Sequence, residues 1–351
     1  MKFGIFDHVD RNDVSLTQLF DERLEYVALA DELGIAAYHV AEHHATPLNM
    51  VPVPSVYLAA CAKVTQKMRL GALTYLLPLY SPLCLIEELA MLDHLSHGRL
   101  DLGVGRGVSS FELNYHGVDV QTSREVFQEV LDILKKGFGS DRLNHEGKHF
   151  TYKNVPMELK PYQKPFPPIW YPSSNEAGAR YAGVNRYHYC TLGPTRDAAP
   201  RIAAYREELK KAGGPIHPLP GFEAGAAGVN RRIFVADTDK EAFKIAEPAF
   251  DRWYASLTKL AREHAGGPVD AAHEIATLQK SIDEGTFIVG SPETVRREVE
   301  KQIREMKCNY MGIAFAFGTL TGAQMKSSLT LFAKEVMAKL EPATLKAAAA
   351  E

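Results

Sequence analysis

The feature that most constrains this chain is an alternation. Short apolar runs are followed, eight times over, by longer stretches whose apolar residues recur at helical spacing. A strand whose helix crosses back to a parallel strand is the repeating unit of an α/β fold, and eight such units close into a (β/α)8 TIM barrel. Strands are expected at Phe3–Asp7, Ala37–Ala41, Arg69–Tyr75, Arg99–Gly105, Pro168–Tyr171, Tyr187–Leu192, Asn230–Ala236 and Tyr310–Phe315. The first helix shows the pattern: Leu16, Leu19, Phe20, Leu24, Val27, Leu29, Ala30 and Leu33 keep a helical period, and Gly34 ends it. Further helices are expected at Ser55–Val64, Leu83–Leu95, Arg124–Gly137, from Asn175 onward, and at Arg196–Ala212 and Ala323–Leu340. Another is expected at Ser291–Met306, with Ser291 as N-cap and Pro292 at its first position.

Two stretches break the rhythm. Leu143–Pro168 is rich in Pro and aromatics, and His145–Phe150 reads as a hairpin tip, an excursion from the barrel after helix four. Residues 237–285, rich in Ala, Lys and Glu, read as a helical insertion after strand seven. Residues 1–342 thus form one barrel domain, and 343–351 a frayed tail. The rival architecture, an open doubly wound sheet, needs a phosphate-binding glycine turn after an early strand. None follows Phe6 or Val40.

Charge narrows the function class. The formal net charge of -3 provides no basic field for nucleic acid. No apolar run reaches the roughly 18 to 20 residues that span a bilayer. The opening Met1–Phe6 reads as a strand and not as a leader. Cys61, Cys84, Cys190 and Cys308 are scattered, with neither metal-ligand spacing nor a disulfide framework, and read as free thiols of a cytoplasmic protein.

In a barrel enzyme the chemistry sits at the C-terminal ends of the strands. Strand one ends at Asp7-His8, strand two at Glu42-His43-His44, strand three near Thr74-Tyr75, strand four at Gly105-Arg106-Gly107 and strand five at Ser173-Ser174-Asn175. Adjacent histidines on a strand face opposite ways, so His43 and His44 do not suit one metal ion, and no metal is assigned. Gly103-Val104-Gly105-Arg106-Gly107 is half of a dinucleotide fingerprint, but 108–111 read as loop instead of as the start of a helix. The glycines then serve a close approach of backbone to a planar ligand, and Arg106 an anion clamp. Ser173, Ser174 and Asn175 read both as helix caps and as phosphate donors at a helix start.

Taken together, Lys2-Phe3-Gly4, Ala41-Glu42-His43-His44, Leu70-Gly71-Ala72 through Leu77-Pro78, Ser81-Pro82, Leu92-Asp93, Gly98-Arg99, Gly105-Arg106-Gly107 and Val289-Gly290-Ser291-Pro292-Glu293 resemble the bacterial luciferase-like flavin monooxygenases. The resemblance runs in order along nearly the whole chain. It implies a barrel that binds reduced FMN, or the deazaflavin F420 in one branch. Reduced flavin, supplied by a separate reductase, reacts with O2 to a C4a-peroxide that oxidises a small organic substrate. The resemblance also implies a homodimer packed through the second and third helices.

Carried over by position, His43 is the active-site histidine, with Glu42 and His44 beside it. Arg106, preceded by Gly105, holds the phosphate, and the turn at Ser173, Ser174 and Asn175 is the second phosphate contact. Leu73-Thr74 is the position of a non-proline cis peptide under the flavin ring. There are departures: Gly105 stands where the light-emitting subunit has a cysteine, and Ser174 where it has an acidic residue. They point away from light emission and toward another monooxygenase substrate. Two other readings stay open. One is an F420-dependent dehydrogenase or reductase, which would favour a basic groove for the cofactor's anionic tail. The other is a non-catalytic flavin-binding protein, which would have no use for His43.

Overall fold

The computed structural model describes residues 1–264, 276–342 and 344. Residues 265–275 of the insertion, and the tail apart from Thr344, lie outside the described residues. The chain runs β1 (Lys2–Asp7), α1 (Leu16–Glu32), β2 (Ala37–Val40), α2 (Pro54–Val64), β3 (Arg69–Leu76), α3 (Pro82–Leu95), β4 (Leu100–Gly105), α4 (Ser110–Tyr115), α5 (Ser123–Gly139), β5 (Arg142–Glu146) and β6 (Thr151–Pro156). It continues with β7 (Ile169–Pro172), α6 (Glu176–Val184), β8 (His188–Thr191), α7 (Thr195–Lys211), β9 (Ala227–Val235), α8 (Asp239–His264), α9 (Leu278–Asp283), β10 (Phe287–Gly290), α10 (Pro292–Met306), β11 (Tyr310–Ala314) and α11 (Gly322–Leu331). Among the described residues no helix is long and apolar enough to cross a membrane.

Strands β11, β1, β2, β3, β4, β7, β8 and β9 pair in that order, all in parallel, and β9 returns to β11. The result is the closed eight-stranded barrel, with helices on its outside. The excursion is an antiparallel hairpin, β5 with β6. Three features differ from the sequence reading. A ninth strand, β10, pairs with the C-terminal half of β9 and lies in the insertion-to-helix stretch that carries no strand signal of its own length. Ser110–Tyr115 is a short helix and not loop: Ser109 caps it by accepting from the Glu112 amide. The closing helix is not uniform, because a π-helical turn at Phe332–Val336 follows α11.

The N-terminal end of the barrel is plugged. The Tyr310 ring fits between Gly4 and Gly228, where a β-carbon would come within 2.1 and 2.6 Å of its atoms. Its hydroxyl meets His39 Nδ1 at 3.1 Å, and His39 Nε2 meets Asp101 at 3.1 Å. Arg69 Nε donates to the other Asp101 oxygen at 2.6 Å. Burial pushes the Asp101 carboxyl up, but Arg69 and His39 outweigh it and hold the group below its usual range. Trp170 packs edge-on to His39, and Phe222, from the loop between α7 and β9, closes the layer from below. Among the described residues the N-terminal end is thus filled, which leaves the C-terminal rim as the side where a ligand can sit.

The plug generates a prediction. Gly4→Ala forces a methyl group into the Tyr310 hydroxyl, an overpacking that typically costs about 1–3 kcal/mol. Gly139→Ala, at the end of α5 with no atom within 4 Å of the new carbon, is the control and leaves stability unchanged or slightly raised. Urea unfolding of the two variants checks this; equal stabilities would mean that the Gly4 slot is not tight.

Candidate active site

The rim is assembled from the loops that follow β1, β2, β3, β4 and β7. The β1 loop turns sharply at Val9, whose φ of 51° is unusual for a β-branched residue. The Asp7 carboxylate compensates by accepting from the Val9 amide at 2.8 Å, while its second oxygen accepts from Tyr38 at 2.9 Å. Buried Arg23, on α1, faces both Asp7 and Asp10 at 3.4 and 3.7 Å. This clamp presents His8 at the mouth. Burial pushes the His8 pKa well below its usual value, and Arg232 and His43 add to the effect, a balance that favours the neutral ring.

His43 stacks on His8, with ring centroids 5.7 Å apart and planes 11° from parallel. Its Nδ1 is 3.1 Å from Glu112 Oε1, and the other Glu112 oxygen accepts from the His44 amide at 3.2 Å. A carboxylate can only accept, so Nδ1 carries the proton and Nε2 is the basic nitrogen of His43. The His43 side chain is 21% exposed, whereas Glu112 is buried. Glu112 was not singled out in the sequence. A signal existed: Ser109-x-x-Glu112 is the pattern that opens a capped helix, and it puts a carboxylate in the first turn.

Glu42 and His44 face elsewhere. Glu42 is buried, with one oxygen 3.0 Å from His44 Nε2 and the other accepting from the Leu76 amide and the Tyr80 hydroxyl, both at 3.0 Å. It ties the end of β2 to the end of β3. Burial raises its pKa, and these donors partly oppose the rise.

The Leu73-Thr74 peptide is cis, at the position expected. It sits where the β3–β4 register shifts, between Ala72 and Tyr75. Here the glycines of β4 have a different role from the one expected of them. A β-carbon on Gly103 would lie 2.1 Å from the Ala72 carbonyl oxygen, and one on Gly105 would lie 2.3 Å from the Thr74 hydroxyl. The close approach they permit is to β3 itself, which supports the cis segment.

Arg106 follows, at the end of β4. Its side chain makes one long hydrogen bond, 3.4 Å to Ser123, and faces no carboxylate among the described residues. Arg124, in the first turn of α5, is exposed and likewise has no acidic partner among them. Both stand close to Tyr171: burial pushes its phenol up, and Arg124 and Arg106 oppose that. β4 and β7 pair Gly103 with Trp170, and continuing that register brings Arg106 level with Ser173. There α6 begins. Asn175 caps it, accepting from the Gly178 amide at 2.8 Å, and Ser173 Oγ accepts from the Asn175 amide at 3.4 Å. Ser174 is exposed between them. Two guanidinium groups and a helix N-terminus thus meet at one corner, a fit for a phosphate. Arg124 also escaped the sequence reading, although a cation in a helix's first turn opposes the helix dipole and so asks for a reason.

Comparison with known proteins agrees with this geometry. Residues 1–307 match the family model described as luciferase-like monooxygenase. The chain is 34% identical over 332 residues to an uncharacterized protein of Sinorhizobium fredii, covering 94% of this chain and 95% of that one. It is 34% identical over 250 residues to the oxygenase component of the flavin-dependent trigonelline monooxygenase of Acinetobacter baylyi, covering 69% and 67%. In fold it is similar to the oxygenating constituent of 3,6-diketocamphane monooxygenase of Pseudomonas putida, solved in complex with FMN, with a TM-score of 0.81, 24% identity and coverage of 97% and 99%. On the family match, the closed barrel and the histidine-bearing rim, the chain belongs to the luciferase-like monooxygenase family of oxidoreductases.

Proposed function

We propose that the protein is the oxygenase component of a two-component flavin monooxygenase, using reduced FMN from a separate reductase and O2 to oxidise a small organic substrate. The observation that carries this reading is the corner where Arg106 and Arg124 lie without acidic partners beside the start of α6. When bound, the flavin supplies the electrons that activate O2. The chain's own residues do the rest. Arg106, Arg124 and the turn at Ser173–Asn175 hold the phosphate. The Leu73-Thr74 segment, backed by Gly105, would form the ledge for the ring, as the family resemblance implies. The plugged floor keeps water from entering through the barrel.

His43 is the proton-handling group: Glu112 fixes its tautomer and leaves the ring's Nε2 free to take or return a proton. Neutral His8 backs it without competing for the proton. Glu42 and His44 are positioning residues that hold the β2 loop to β3. The protein is read as cytoplasmic and as a homodimer, and the homodimer is supported by apolar side chains exposed on neighbouring α2 and α3: Val56 at 73% and Met91 at 56%.

Three outcomes test this. Arg106→Ala should weaken FMN binding by roughly one to two powers of ten, because a charged hydrogen-bonded contact is worth about 1.5–3 kcal/mol. Riboflavin, which lacks the phosphate, should bind as before. Flavin-fluorescence titration measures both, and a parallel titration in which F420 binds and FMN does not would overturn the FMN reading. His43→Ala should keep FMN affinity within a few-fold and lower product formation by about 10²-fold, with reoxidation of reduced flavin yielding hydrogen peroxide instead. Product and peroxide counted in single-turnover reoxidation decide it; unchanged coupling would remove His43 from the chemistry. Light scattering should show twice the mass of one chain, and Val56→Asp combined with Met91→Asp should halve it.

A further inference from the structure

Neighbouring residues on β9 show a contrast. Arg231 points outward and its donors are engaged: Gln302 at 2.7 Å, the carbonyls of Gly193 and Asn230 at 3.1 and 2.9 Å, and Thr195 at 3.3 Å. Arg232 points the other way, on the face shared by Gly228 and Asn230, which reach Tyr310 and Cys190 inside the barrel. Arg232 lies two residues nearer the rim than Asn230. Among the described residues its side chain makes no hydrogen bond and no ion pair, and its Nε is sealed from solvent. Its guanidinium is stacked 3.7 Å above the Trp253 ring, on α8, and 5.6 Å from Phe287. Trp253 Nε1 is also buried without an acceptor.

The terminal Nη groups of Arg232 are neither hydrogen-bonded nor sealed like Nε, so at the mouth of the barrel they are open to an acceptor from outside the chain. Asp10, the carboxylate that acts on Arg232 through space, makes no ion pair with it. Asp10 faces Arg23 and accepts from the Gly318 amide, and burial pushes its carboxyl up to about 6. The same surroundings identify what sits beside the acceptor. Arg232 is close enough to His8 to depress its pKa, and His8 stacks on His43. A group held by Arg232 would therefore place the molecule that carries it next to His43. The phosphate corner, on the β4, α5 and β7 side, uses other residues.

We propose that Arg232, with Trp253 beneath it, anchors a carboxylate on the substrate, so that this enzyme oxidises a small organic acid. The inference rests on the flavin monooxygenase reading for the identity of the reaction, but the anchor can be tested without turnover. Benzoate and benzamide are matched in shape and differ in charge. Calorimetric titration of the protein, with and without FMN, should show benzoate binding at least tenfold more tightly than benzamide. Arg232→Gln should abolish that preference while FMN affinity stays within two-fold. Arg232→Lys, which keeps the charge but loses the planar fork, should retain part of it and serves as the second variant should the Gln form not fold. Equal binding of the two probes, a preference untouched by both substitutions, or a parallel loss of FMN binding would overturn the proposal. A benzoate preference in protein that binds no FMN would support the anchor and overturn the flavin reading alone.

Discussion

Eight parallel strands that close on themselves enclose a lumen, and that lumen has to be solid at one end and open at the other. Tyr310 settles the matter here. Its ring occupies the space that Gly4 and Gly228 leave, and its hydroxyl starts a buried chain through His39 and Asp101 to Arg69. Asp101 without Arg69 would keep only its contact with His39, and breaking a buried ion pair typically costs about 3–5 kcal/mol. The network therefore locks β11, β2, β4 and β3 in one register. Everything at the rim inherits its position from that lock.

The rim spends charge differently. Arg23 is paired with Asp7 and Asp10, and so serves stability and the β1 turn. Arg106, Arg124 and Arg232 make no ion pair among the described residues, although Asp10 acts on Arg232 through space. For Arg232 the magnitudes decide between a structural and a binding role. Stacking on Trp253 returns about 2 kcal/mol when desolvated. Leaving a buried donor unmatched costs about 1–3 kcal/mol for each such group, and here Arg232 and Trp253 contribute one apiece. A side chain present only to stabilise the fold would be better replaced by an apolar one. Unpaired cations that gather at one end of a barrel are the mark of anionic ligands.

His43 gains its role from what surrounds it. Glu112 orients it, His8 stacks on it as a neutral ring, and Glu42 with His44 fixes the loop that carries it. Each support comes from a different strand end or loop, so each distance depends on barrel closure. This is why a short helix of six residues, α4, matters: it delivers the Glu112 carboxylate to both the His43 ring and the His44 amide.

Much of this was legible in the sequence. Apolar periodicity is a local property, so eight βα units and the hairpin excursion could be read along the chain, whereas the cis position at Leu73-Thr74 was implied only by the resemblance to the luciferase-like family. The strand β10 escaped because four residues are too few to set a period, and helix α4 because its capping pattern was passed over within a glycine-rich loop. Tertiary structure alone decided the pairings. Glu112 lies 69 residues from His43 in sequence, and no local pattern couples them. Arg231 and Arg232 are identical in type and adjacent in sequence, and only the direction each takes from β9 separates a satisfied structural guanidinium from an unmatched one. The glycines of β4 likewise showed in sequence that something comes close; that the something is β3, its backbone at Gly103 and the Thr74 side chain at Gly105, follows only from how two strands meet.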